Sequence, residues 1–200
     1  MDITWHGKSC FTLKGKNATV VIDPDKSIKT PLKGDVVLSS IGDDLAEVKD
    51  AKRTFTWPGE FEVSEVPITA IKAFTRSRSK EEEEGEDGER TMIFHFEIDR
   101  IKVCHLGNLG HKLTTELIDE IGDVDILLIP AGEESTLKGK EEVVYDQIES
   151  RIVIPYGKFD SDYLKKAFNA PFTDAEDKFT TDSLQGLPES KTQYVLLNQV

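Results

Sequence analysis

Apolar residues in the first half of this chain come in short runs broken by turn residues. In the second half such runs alternate with segments of helical spacing. Ile3-Thr-Trp5 and Phe11-Thr-Leu13 predict two strands around a turn at Gly7-Lys-Ser9, and Ala18-Thr-Val-Val-Ile22 a third, stopped by Asp23-Pro24. Asp35-Val-Val-Leu-Ser39 reads as a strand buried on both faces. Asp43 or Asp44 then stands where it can N-cap a short helix through Val48, since aspartate accepts the orphan amide protons of a first turn. Residues 54–74 predict two or three short strands, broken by Trp57-Pro-Gly59 and by Pro67. Met92-Ile-Phe-His-Phe96 and Ile101-Lys-Val-Cys104 form a further strand pair across a turn at Asp99-Arg100.

Beyond residue 110 the period lengthens. Thr114 or Thr115 caps a helix ending at Gly122, with Leu117, Ile118 and Ile121 on one face. Residues 140–150 suit an amphipathic helix and residues 160–169 another. Ile126-Leu-Leu-Ile129, Arg151-Ile-Val-Ile-Pro155 and Tyr194-Val-Leu-Leu197 read as strands. Hairpins followed by alternating strand and helix predict an α/β (α+β) fold of two packed sheets with helices outside. No repeat or long linker divides the chain, so residues 1–200 are expected to form one domain. Residues 76–90 are all charged, Ser or Gly, and predict a mobile acidic surface loop.

Composition narrows the function classes. The chain is 38% hydrophobic and 32% charged, which suits a soluble globular protein. No window approaches the ~18 apolar residues of a membrane span. The N-terminal residues lack a basic region and an apolar signal core, so a cytoplasmic location is expected. Lys and Arg number 25 against 38 Asp and Glu, a net charge of −13 that repels a phosphate backbone. The best basic patch, Arg76-Ser-Arg-Ser-Lys80, runs directly into four glutamates. Neither nucleic acid nor a membrane is an expected partner. Cys10 and Cys104 are the only cysteines and read as reduced, packed thiols.

Six segments together resemble one family. Ile3-Thr-Trp-His-Gly-Lys-Ser-Cys-Phe11 resembles the opening W-x-G-H-S-x-F of metallo-β-lactamase-fold hydrolases related to the ascorbate-phosphate lactonases, and Val20-Val-Ile-Asp-Pro24 the strand that follows it. Trp57-Pro-Gly-Glu-Phe-Glu-Val63 is similar to a G-P-G-E-Y-E-V segment of a bacterial branch, and Cys104-His-Leu-Gly-Asn-Leu-Gly110 to its C-H-L-G-D-L-G turn. Gly122-Asp-Val-Asp-Ile-Leu-Leu-Ile-Pro130 and Ile152-Val-Ile-Pro155 are similar to its last core strands. The resemblance covers roughly residues 1–160 and implies an αββα sandwich of two mixed sheets flanked by helices. It also implies a hydrolase using zinc or manganese bound at the sheet edges.

The ligands implied by that resemblance are largely missing. The H-x-H-x-D-H motif falls on Ser39, Ile41, Asp43 and Asp44; the next histidine falls on Thr75, the bridging aspartate on Asn108, and the closing histidine on Gly157. Isoleucine and glycine offer a metal no side-chain donor, and a hydrolytic zinc site needs several convergent His or carboxylate ligands. Loss of the metal site is therefore expected, with no cofactor and no catalytic residue assigned. The four histidines, His6, His95, His105 and His111, show no ligand spacing. Cys104 and His105, adjacent on a strand, point to opposite faces. Lys8, Arg76 and Lys158 fall at or beside former ligand positions and are candidates for binding an anion. The expected function is a binding or assembly scaffold. Its partner is an unidentified protein, a further copy of the chain or a small anionic ligand. The alternative is a zinc or manganese hydrolase of a lactone, phosphodiester or similar ester, with an atypical site.

Overall fold

The computed structural model describes residues 1–76 and 89–200. Its strands and helices, in chain order, begin with β1 (Asp2–Gly7), β2 (Cys10–Lys14), β3 (Thr19–Ile22), β4 (Leu32–Lys33), β5 (Val36–Leu38) and β6 (Val48–Lys49). Then come β7 (Arg53–Phe55), β8 (Gly59–Val63), β9 (Val66–Phe74), β10 (Arg90–Ile98) and β11 (Ile101–His105). The remainder is α1 (Thr115–Ile121), β12 (Ile126–Pro130), α2 (Glu141–Ile148), β13 (Ile152–Tyr156), α3 (Ser161–Phe168), β14 (Phe179–Thr180) and β15 (Gln193–Tyr194). The acidic loop expected at 76–90 lies outside the described residues over 77–88.

Two mixed sheets face each other. The first has six strands in the order β14-β1-β2-β3-β5-β7, and the second seven in the order β15-β13-β12-β11-β10-β9-β8. In the first, β3, β5 and β7 run parallel; in the second, β11, β12, β13 and β15 do. The unbroken apolar runs have a physical cause: strands of the second sheet bury both faces. Ile126 and Leu128 point between the sheets, while Leu127 and Ile129 point into a second core closed by Val144, Leu164 and Phe168 of the helices. Full burial of each such side chain contributes roughly 1.5–3 kcal/mol. The outer face of the first sheet, at Cys10 and Val21, packs instead on Ile28, Leu32 and Val48, and β4 and β6 pair in that covering segment.

Local signals set the starts of two helices. Thr114 accepts from the Leu117 amide and Asp160 from the Tyr163 amide, which caps α1 and α3. Two expectations fail. No helix follows Asp43 and Asp44, because Leu45 bridges Asp25 and the Ala46 amide donates to the Pro24 carbonyl, holding this stretch extended. The last strand is only Gln193–Tyr194, since the chain then changes partners and Leu197 bridges Glu176. Cys10 and Cys104 are buried free thiols, as expected. Among the described residues, no helix is long and apolar enough to cross a membrane.

Candidate functional site

The parallel strands of both sheets end on one side of the sandwich, and ligands in α/β folds commonly bind beyond such carboxyl ends. A cleft of about 940 Å³ opens there. It is lined by the β1–β2 turn (Lys8, Ser9), the segment after β3 (Asp25) and the segment after β5 (Ile41, Asp44). From the second sheet come Asn108 after β11, Pro130, Ala131, Glu134, Ser135 and Thr136 at and beyond the end of β12, and Tyr156 to Phe159 at the end of β13. Trp5 and Gln199 complete the wall.

Of the positions singled out in the sequence, Ile41, Asp44, Asn108, Gly157, Lys8 and Lys158 therefore meet in one cleft. The others do not line it. Ser39 is buried, its Oγ donating to the Gly42 carbonyl at 2.6 Å. Asp43 is exposed, and its carbonyl accepts from the Leu45 amide. Thr75 extends the β9–β10 pairing by donating its amide to Glu89, and Arg76 beside it is exposed away from the cleft lining. The two lysines that do line it each face a carboxylate. Lys8 Nζ donates to Asp25 Oδ2 at 3.0 Å, and Lys158 Nζ lies 3.5 Å from Glu134 Oε1. Asp44 is exposed and paired with Lys26. These are solvent-facing pairs, worth at most about 1 kcal/mol each to stability.

Beneath the cleft lies a polar layer that sequence reasoning missed. Asp23 is fully buried, and its carboxylate accepts from the Ser40 amide at 2.5 Å and the Ser40 hydroxyl at 2.6 Å. Burial pushes its pKa up to about 6, against the pull of those donors. Asp25, by contrast, is held at about 2 by hydrogen bonds from the Ser27 hydroxyl and amide and by Lys8. His105 is also fully buried. Its Nδ1 accepts from the Gly107 amide at 3.1 Å, so its proton sits on Nε2 and donates to the Ser9 carbonyl at 3.2 Å. Desolvation pushes the ring down to about 3, and it stays neutral. Tyr156 stacks on His105 with ring centroids 4.9 Å apart, and Phe11 packs edge-on to both. The Tyr156 hydroxyl donates to the Gly107 carbonyl at 2.5 Å, one residue from Asn108. The signal for this layer was in the quoted motifs, at Asp23-Pro24 and in Ile154-Pro-Tyr-Gly-Lys158, where tyrosine stands at the methionine of the family pattern.

At Gly157 the backbone closes on β12. Its φ is +128°, a conformation that L side chains rarely adopt, and a Cβ there would come within 2.3 Å of the Ala131 carbonyl oxygen. The remaining histidines are scattered. His6 contacts the Thr12 hydroxyl, His95 the Asp123 carbonyl and His111 the Lys112 carbonyl. Among the described residues, no three His, Cys, Asp or Glu side chains gather closely enough to hold a metal ion.

Comparison with known proteins agrees with the two-sheet architecture. The sequence profile of the Beta-lactamase superfamily domain matches residues 2–157. The chain belongs to the metallo-β-lactamase superfamily. Within that superfamily, a provisionally assigned Zn-dependent hydrolase from Thermotoga maritima is 30% identical, with a TM-score of 0.76 over 98% of this chain and 97% of its own. A UPF0173 protein of Pyrococcus abyssi is 26% identical, over 80% of this chain and 85% of its own. A provisionally assigned metal-dependent hydrolase from Parabacteroides distasonis, 14% identical, shares the fold with a TM-score of 0.64 over 99% of this chain and 92% of its own. Four of the positions implied by the motifs, Ile41, Asp44, Asn108 and Gly157, line the cleft at the strand ends.

Proposed function

We propose that this chain keeps the metallo-β-lactamase scaffold of a lactonase-like branch as a binding or assembly protein and has lost metal-dependent hydrolysis. The observation that carries the reading is at the closing-histidine position. There the change goes deeper than a side chain, because the Gly157 backbone leaves no room for a Cβ beside Ala131. The rest of the donor set does not fit zinc or manganese either. Ile41 has no donor, Asn108 is a neutral amide, and Asp44 is exposed and paired with Lys26. A structural zinc site gains about 10–16 kcal/mol from a full ligand set, and the two exposed aspartates left at motif positions, Asp43 and Asp44, supply nothing comparable. Tyr156 supports the same reading, since its ring and hydroxyl fill the space between His105 and Gly107.

A second reading, a metal-dependent hydrolase of a lactone, phosphodiester or similar ester, draws on the Thermotoga maritima relative. It needs Asp43, Asp44, His105 and Asn108 to act together. His105 weighs against it, because both ring nitrogens are already engaged and the ring is fully buried.

Purified protein supplied with zinc or manganese is expected to show no turnover of generic lactone or phosphodiester substrates above a heat-denatured control. Turnover that a chelator abolishes and that Asp43→Ala removes would establish the second reading instead.

A further inference from the structure

Most polar groups in the cleft are already engaged. The Trp5 indole N–H donates to the Lys8 carbonyl at 2.8 Å, and the Tyr156 hydroxyl to Gly107, so both present rings rather than donors. Thr136 Oγ1 is taken up by the Asn108 and Leu109 carbonyls, and Ser135 Oγ accepts from the Leu137 amide. Besides the Ser135 O–H and Asp44, which is paired with Lys26, what remains is two carboxamides and two ion pairs. The Asn108 side chain is exposed and has no hydrogen-bond partner among the described residues. Gln199 lies over Gly7, where a Cβ would come within 2.5 Å of Nε2, so only glycine at position 7 admits it. The ion pairs are Lys8 with Asp25 and Lys158 with Glu134.

All four sets share one property: each places a donor beside an acceptor and carries no net charge. An anion would have to compete with Asp25 and Glu134 for the lysines while facing Asp44, in a chain of net charge −13. A cation meets the same lysines. A hydroxyl group is donor and acceptor on one atom, so neighbouring hydroxyls can bridge a lysine and its carboxylate without separating them, and can pair both ends of a carboxamide. Trp5 and Phe159 add apolar faces for the C–H side of a ring. The volume falls within the ~300–1,000 Å³ of small-molecule sites.

The geometry points to a neutral, hydroxyl-rich ligand of mono- to disaccharide size, read by Asn108, Gln199 and the two ion pairs. This rests on the reading of the cleft as metal-free, and it replaces an anion with an uncharged polyol as the ligand class.

The test uses the full chain carrying Trp57→Phe, which leaves Trp5 as the sole fluorophore of its kind. D-glucose, D-ribose, maltose and myo-inositol are titrated beside glucose 6-phosphate and gluconate, with and without EDTA. The expected result is a saturable change in Trp5 emission with at least one neutral compound, at least tenfold tighter than with either anion. It is unchanged by EDTA and weakened at least tenfold by Asn108→Leu. Because Asn108 is exposed, that variant is expected to melt with the parent, and Gln199→Leu provides an independent second probe. Tighter binding of the anions, no binding of any neutral compound, or binding indifferent to both variants would overturn the inference. Binding that requires zinc and disappears in EDTA would overturn the metal-free reading beneath it.

Discussion

Replacing Gly157 with histidine is expected to destabilise the fold by about 2–4 kcal/mol without creating a metal ligand. The cause is local. Position 157 has φ +128° and faces the Ala131 carbonyl at a distance no Cβ tolerates, while Gly132 is equally tight against Lys158 from the other side. The penalty therefore arises at Cβ, and Gly157→Ala is expected to cost nearly as much as Gly157→His in urea unfolding. The combined variant with Ser39→His, Ile41→His, Asp44→His, Asn108→Asp and Gly157→His is expected to bind zinc no better than the same variant with Gly157 kept. A Gly157→His protein of wild-type stability would mean that this backbone relaxes easily and that the closing position is still open.

Replacing Asp23 with asparagine is expected to make the protein more sensitive to acid, although Asp23 is itself an acid. The sign follows from linkage. Burial raises Asp23 from 3.8 to about 6, so the stability it contributes is full below about pH 4 and is lost as pH rises through 6. His105 behaves in the opposite way. Its pKa falls from 6.5 to about 3, so its contribution is full above about pH 6.5 and is lost as pH falls toward 3. At about 1.4 kcal/mol per pH unit, each group carries a swing of about 3 kcal/mol between pH 7 and pH 4, and the two largely cancel. Asp23→Asn removes one side of that balance, and its stability relative to wild type should fall by about 2–3 kcal/mol from pH 7 to pH 4. His105→Gln should show the reverse slope, whatever its cost at neutral pH from the lost stack on Tyr156. Parallel pH profiles for wild type and both variants, measured by urea unfolding, would show that neither group is held in the protonation state described.

The architecture was legible because it rests on periodicity. Strands buried on both faces must read as continuous apolar runs, and β12 and β13 do. The failures came where long-range pairing overrides local preference, as at Leu45, pulled into a bridge with Asp25, and at the tail, which leaves Val153 for Glu176. The site was legible as a place and less so as chemistry. Motif order brought Ile41, Asp44, Asn108 and Gly157 to one cleft, yet Ser39 turned inward and Thr75 and Arg76 stayed with the β9–β10 hairpin. Lys8 and Lys158 looked like free cations because sequence spacing cannot reveal Asp25 and Glu134 across the cleft. Asp23, His105 and Tyr156 stand in the quoted motifs, but the Asp23–Ser40 and His105–Tyr156 contacts join separate segments, and no local pattern encodes that pairing.

Loss of the metal site can be read from the metal content of untagged protein purified without chelator and then challenged with zinc and manganese. Far less than one ion per chain, with no rise in melting temperature on adding either metal, is the expected result. One or more tightly held ions per chain, with a melting temperature that climbs with metal concentration as binding to the native state requires, would contradict it.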